Sequence, residues 1–260
     1  MGFVNFGKKG DDKALIELID RSITSVTIPN GVKSIGNGAF NGCSELTEVT
    51  MQEGVTSIST CAFQSCKKLS SIKMPMGIKS IGTYAFSGCS ALVNINIPSE
   101  VTNIGGFAFN GCNNLKSIIL PNGITNIGSY TFQSCSSLLR ITIPQKVTSI
   151  GTYAFSGCSN LKSIIIPSGI RNIQGYVFNN CSKLTELILL CDIAVNLNNV
   201  NALNNTLITK GTGYIYVPGA LLDDYKTATN WVTYADQFRA IEDYPDIING
   251  GEKGWLRQKL

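Results

Sequence analysis

The sequence has no histidine, and only 15% of its 260 residues are charged. The first absence removes the commonest general base and a principal zinc ligand, so serine and cysteine side chains lack their usual activator. No carboxylate pair clusters or recurs, and neither a G-x-x-x-x-G-K-[ST] nor a G-x-G-x-x-G phosphate cradle is present. No enzymatic activity, catalytic residue, cofactor or metal site is expected. No stretch approaches the ~20 apolar residues of a membrane span, so membrane insertion is not expected either. The first residues, MGFVNFGKKGDDKALIELID, lack the apolar core of a secretory signal.

The scarce charge is unevenly spread. Ile23 to Leu190 carries 11 Lys/Arg against 5 Asp/Glu, Cys191 to Leu260 carries 6 against 8, and the first 22 residues balance at 4 and 4. A thin positive excess over a long surface is far from the clustered lysine and arginine of a nucleic-acid binder, and no nucleic-acid partner is expected. With 43% hydrophobic residues the chain is globular, and its polarity is mostly Ser, Thr and Asn.

What the sequence does have is repetition. SIGTYAFSGCS stands at Ser80 to Ser90 and again at Ser149 to Ser159, and the copies lie three intervals of 23 residues apart. At that interval phenylalanine runs from Phe40 to Phe178, cysteine from Cys43 to Cys181 and leucine from Leu46 to Leu184, without a slip over seven copies. In the sixth copy, LKSIIIPSGIRNIQGYVFNNCSK, the alternation of Leu161, Ile164 and Ile166 reads as a short strand closed by Pro167 and turned at Ser168-Gly169. Ile170 to Ile173 reads as a second strand. Gly175 to Cys181, with Val177, Phe178 and Cys181 at one-three-four spacing, reads as a single helical or 3₁₀ turn.

The six inward side chains of such a coil cannot offset the entropy of ordering 23 residues, so the coils must stack. The expected result is a solenoid of parallel sheets rising ~4.8 Å per coil. Lys13 to Ile19, KALIELI, reads as an N-terminal helical cap following a flexible lead, Met1 to Gly10. After Leu190 the period decays, with Asn201-Ala202-Leu203 a worn x-A-F position. Tyr214 to Pro218 reads as a last strand, and ALLDDYKTATNWVTYADQFRAI as one or two short helices. Tyr225, Trp231, Tyr234 and Phe238 are expected in the core of a C-terminal cap.

The recurring L-x-x-I-x-I-P and V-x-x-I-G-x-x-A-F-x-x-C-x-x-L segments, complete at Leu69 to Leu92 and Leu138 to Leu161 with Ile and Val alternating, resemble the BspA-type leucine-rich repeat. The segment YVP-x(6)-YK-x-A-x-x-W-x-x-YA resembles the closing segment that follows such repeats in intestinal bacterial and prophage-encoded proteins. The resemblance implies a right-handed leucine-rich-repeat solenoid, and proteins at the cell surface or secreted that serve adhesion and protein binding. On this basis the chain divides into a lead and N-terminal cap (1–22), about seven to eight coils (23–190), a C-terminal α/β cap (191–245) and a tail or linker (246–260). The expected function is a recognition or adhesion module for a protein or surface glycan. The alternative is a structural spacer or virion-associated protein that positions another domain, in a virion or the cytoplasm.

Two outward columns are candidate binding sites. On the long strand the outward pairs run from Ser25/Thr27 to Ser117/Ile119, Arg140/Thr142, Ser163/Ile165 and Glu186/Ile188. Ile119, Ile165 and Ile188, with Leu139 beside them, would form an apolar strip for a partner, or would pack under the C-terminal cap. Before each repeated alanine stands a second column, Tyr84, Phe107, Tyr130, Tyr153 and Tyr176, preceded by Gly38 and Cys61. These rings would meet a sugar or a protein, or stack on one another. The cysteine column, in its apolar setting, reads as packing rather than disulfide or metal chemistry: a row of identical thiols offers neighbours on a line, not four ligands around a point. Cys61 and Cys191, off that column, are the expected reactive thiols.

Overall fold

Every 23 residues the chain completes one coil of two strands and a flattened turn. The computed structural model describes residues 4–9, 12–18 and 21–249. The longer strand of each coil begins at Ser25–Ile28 and recurs through Glu48–Met51 to Glu186–Leu189; the shorter begins at Ser34–Ile35 and recurs to Asn196–Leu197. Both sets form successive sheets of three to six strands, and neighbouring coils within a sheet pair parallel and in register: Ile118 faces Ile95 on one side and Ile141 on the other. In-register stacking follows from the invariant period, because any slip would exchange every inward isoleucine for an outward polar residue.

The core is a set of columns running down the solenoid. Phe40, Phe63, Phe86 and their successors are 0–1% exposed and stack in parallel with centroids 5.0–5.7 Å apart. The seven cysteines of the repeat column, Cys43 to Cys181, are fully buried, and none of the nine cysteines forms a disulfide. From the second coil on, each thiol donates to the phenylalanine carbonyl of the coil before it, as Cys66 Sγ does to Phe40 O at 3.0 Å and Cys112 Sγ to Phe86 O at 3.2 Å. Burial pushes the Cys66, Cys112 and Cys181 thiols up to about 12. Cys191 departs from expectation: it is fully buried, donates to Pro167 O, and burial raises it to about 11 despite Arg171 nearby. Of the two off-column thiols, only Cys61 is partly exposed.

The third segment of the coil is not the helical or 3₁₀ turn that the spacing suggests. Two residues in each copy lie in the left-handed region: the one before the alanine column (Gly38, Cys61, Tyr84 and onward) and the one before the cysteine (Gly42, Ser65, Gly88 and onward). Alternation of backbone hand turns successive N–H groups in different directions. Ala85, Ser87 and Cys89 donate within their own coil, whereas Tyr84, Phe86 and Gly88 donate to Gly106, Ala108 and Asn110 of the next coil at 2.7–3.1 Å. The turn thus contributes a third ladder, which a helical turn, with its N–H groups used internally, would not supply. Close approach of coils is required here: a Cβ on Gly105 would stand 2.4 Å from the Thr83 backbone nitrogen.

The two ends correct the expected caps. Lys13 to Ile19 was expected to be helical, but Asp12–Leu18 is a strand, antiparallel to Val4–Lys9 and parallel to Ser34–Ile35; Ile19 lies outside the described residues. The first coil presents an unpaired strand edge, and a strand fills its hydrogen bonds where a helix would not. Val4–Lys9, expected to belong to a flexible lead, is the outer strand of a hairpin with Asp12–Leu18; residues 1–3 and 10 are outside the described residues.

At the other end Ala202 continues the alanine column, accepting from Phe178 N at 2.8 Å. Tyr214–Val217 then extends the long-strand sheet, as expected. A short helix, Leu222–Thr227, and a 3₁₀ segment, Val232–Gln237, follow, but Phe238–Ala240 is a further parallel strand rather than helix. Tyr225, Trp231, Tyr234 and Phe238 are buried; Trp231 Nε1 donates to Val195 O, Tyr225 OH accepts from Val195 N, and Tyr234 OH donates to Val200 O. Their polar ends thereby satisfy backbone groups of the last coil. The expected tail opens with a helix, Pro245–Asn249, and residues 250–260 lie outside the described residues.

Candidate functional site: the outward columns

The long-strand face divides along its length. Ile119 is 72% exposed, but its neighbours across the ladder are Asn96 and Thr142, so it stands alone among polar side chains. Leu139 is 47% exposed one position before Arg140, which is also exposed. Ile188 is only 2% exposed: it packs with Tyr216 and Ile241, and Ile165, Leu190 and Ile247 pack against that cluster. The C-terminal strand and helices therefore cover the face where the apolar strip was expected to be strongest. Ile188 is not available to a partner in this structure, and Ile119, Ile165 and Ile188 do not form one strip.

The turn face is continuous. Tyr84, Phe107, Tyr130, Tyr153 and Tyr176 are all half-buried and stack face to face, with successive centroids 4.4, 4.3, 5.0 and 4.7 Å apart and planes within 18°. Their own stacking, one of the sequence-level alternatives, is what occurs. It occupies the ring faces between coils and presents ring edges outward. The Tyr176 hydroxyl accepts from Asn201 Nδ2 at 3.2 Å. The hydroxyls of Tyr84, Tyr130 and Tyr153 make no hydrogen bond among the described residues, where no fully buried side-chain oxygen is left without one; these three therefore keep some contact with solvent. The Tyr153 phenol is held above its ordinary value, first by desolvation and then by Tyr176 and Tyr130 beside it.

Each of these aromatic residues has φ between 56° and 59°. Glycine adopts that conformation freely, as Gly38 does in the first coil at φ 63°. A residue with a Cβ incurs roughly 1–2 kcal/mol there. The column holds large side chains where the backbone favours none.

Sequence reasoning missed a further polar column, one residue after each core phenylalanine, in which Ser87 and Ser156 are buried and Asn41, Gln64, Asn110, Gln133 and Asn179 are half-buried. Ser87 Oγ donates to Asn110 Oδ1 at 3.4 Å, Asn110 Nδ2 to Gln133 Oε1 at 2.8 Å, and Asn179 Nδ2 to Ser156 Oγ at 3.4 Å. The signal was present: Asn41, Gln64, Ser87, Asn110, Gln133, Ser156 and Asn179 recur at the repeat interval and are all uncharged hydrogen-bonding residues. Among the described residues no helix is long and apolar enough to cross a membrane, and no group of three or more Cys, Asp or Glu side chains is placed to hold a metal ion.

Parallel strands in register, invariant inward columns and outward columns that vary independently define a solenoid repeat protein. The chain belongs to the BspA-type leucine-rich-repeat family: the model of the BspA type leucine rich repeat region matches residues 19–138 and 79–207, in six copies. Among solved structures it is similar to a leucine-rich-repeat protein of T. pallidum, at 27% identity over 75% of this chain and 83% of that one, with a TM-score of 0.56. It is also similar to a leucine-rich-repeat protein from Bacteroides ovatus (25% identity, 82% and 76% covered, TM-score 0.40). A leucine-rich cell surface protein from Faecalibacterium prausnitzii matches at 24% identity, 70% and 76% covered, with a TM-score of 0.30. No curated protein matches.

Proposed function

We propose that this protein is a non-catalytic recognition or adhesion module, displayed at the cell surface or secreted, that binds a protein or glycan partner through its turn face. The observation that carries the reading is the column of half-buried aromatic residues held in the left-handed conformation over five successive coils. Strain kept at a surface, in residues the turn itself does not require, fits a binding role better than a packing role. Tyrosine also presents a rigid apolar body and a polar tip at low entropic cost on binding. The absence of histidine, and of any carboxylate in the ring and amide columns, gives this face no acid–base pair. On the long-strand face Ile119, Leu139 and Arg140 are a secondary contact area.

The test is capture from host-cell surface extract and on a glycan array, with the full chain and with a Tyr130→Gly/Tyr153→Gly variant. A partner held by the parent and lost by the variant is the expected result. Capture unchanged by the variant, or abolished instead by Ile119→Lys, would move the site to another face.

A further inference from the structure

Resting on the reading of the turn face as the recognition surface, we infer that its ligand is a neutral, unbranched polysaccharide lying along the solenoid axis. Three features of that face converge on this chemistry. The first is charge. From the position after the short strand to the core cysteine, Gly82–Cys89, Gly105–Cys112, Gly128–Cys135, Gly151–Cys158 and Gln174–Cys181 contain no Asp, Glu, Lys or Arg. Such a strip neither attracts a polyanion nor complements a charged protein patch, since steering needs charge of one sign. It suits a ligand that is polar without being ionic.

The second is the functional groups on offer. Phenol hydroxyls that keep contact with solvent at Tyr84, Tyr130 and Tyr153 lie in one column, and the half-buried amides of Asn110 and Gln133 lie in the next, with Ser87 buried beside them. Both columns mix donors and acceptors, as a ligand dense in hydroxyl groups requires. Because the ring faces are occupied by neighbouring rings, the sugar is held through ring edges and hydrogen bonds rather than by lying flat on a ring.

The third is periodicity. Each of five successive coils offers an aromatic ring, four of them tyrosine and one Phe107, beside an uncharged polar residue, and the rings repeat every 4.3–5.0 Å. A line of like subsites matches a polymer of like units, whereas a folded protein presents different residues at each step. Linked subsites raise affinity with every unit engaged, until the ligand outgrows the array. The ladder is already ordered by stacking and by inter-coil hydrogen bonds, so little side-chain entropy is lost on binding.

The experiment is calorimetric titration of the full chain with linear glucose, mannose and xylose oligosaccharides, from disaccharide to octasaccharide, with an acidic polysaccharide as control. One neutral series is expected to bind, with affinity rising about tenfold or more between disaccharide and pentasaccharide and then levelling. The affinity should be the same at low and high salt. Tyr130→Phe/Tyr153→Phe keeps the stacked rings and removes two hydroxyls; it should weaken that binding about tenfold while leaving thermal unfolding unchanged. Absence of binding to all three series, affinity independent of length, or equal affinity in the phenylalanine variant would each overturn the inference. If no oligosaccharide binds but a protein is captured in a manner lost with Tyr130→Gly/Tyr153→Gly, the polysaccharide is refuted and the turn face remains a recognition surface. If that variant changes nothing, both readings fall.

Discussion

Two stacks of aromatic rings run side by side through this solenoid, one inward and one outward, and they stand two residues apart in each repeat. The inward stack, Phe40 to Phe178, is shielded from solvent, spaced 5.0–5.7 Å, and its residues are absent from the left-handed region. The outward stack, Tyr84 to Tyr176, is half-buried, spaced 4.3–5.0 Å, and lies wholly in the left-handed region. Both recur at the same interval, so recurrence alone does not separate packing from surface. The difference lies in what removal would do: the inner rings fill a core that has no other filling, whereas the outer ones occupy a position that Gly38 fills in the first coil with no side chain at all.

The largest expected effect breaks the inward side as a whole. Burial raises the folded-state values of Cys66, Cys112 and Cys181 from 9.0 to about 12. Between those values the unfolded chain has lost the thiol protons and the folded chain retains them. This contribution is therefore complete below pH 9 and falls as pH rises towards 12. Urea unfolding followed across that range should show a steep loss of stability, and Cys112→Ala should make the slope shallower; an unchanged slope would mean the column is not buried as thiol. Phe109→Ala comes next, with a loss of about 3–5 kcal/mol by denaturant unfolding, since truncating a fully buried ring removes its burial and leaves a cavity. A smaller pair sharpens the contrast on the long-strand face. Ile188→Ala, beneath Tyr216 and Ile241, should cost about 2–3 kcal/mol; Ile119→Ala, exposed, should stay within about 0.5 kcal/mol of the parent.

Much of this contrast was legible before any coordinates. The interval, the inward identity of Phe, Cys and Leu, and the outward identity of the tyrosine column follow from counting, because a stacked coil allows a residue type to recur in register for few physical reasons. Where reading failed, tertiary pairing decided. KALIELI carries apolar residues that satisfy a helix and a strand alike, and the unpaired edge of Ser34–Ile35 selects the strand. Ile188 alternates outward like Ile119, and only chain beyond residue 190, returning as Tyr214–Val217 and Ile241, distinguishes them. The left-handed turns were hidden because Tyr, Phe and Cys disfavour that conformation; Gly38 and the Gly, Ser and Asn residues before each cysteine were the available hints.

The central claim, that the outward rings serve recognition rather than packing, is tested most directly by the stability of Tyr130→Gly measured by urea denaturation beside Phe109→Ala. Loss of stacking on two neighbours, at about 0.5–1.5 kcal/mol each, and of the half-burial of the ring, at roughly 1–2 kcal/mol, is partly offset by relief of roughly 1–2 kcal/mol of left-handed strain. The expected result is a loss of about 2 kcal/mol, short of the 3–5 kcal/mol for the inner ring. A loss for Tyr130→Gly as large as that for Phe109→Ala would contradict the claim and make the outer stack part of the core.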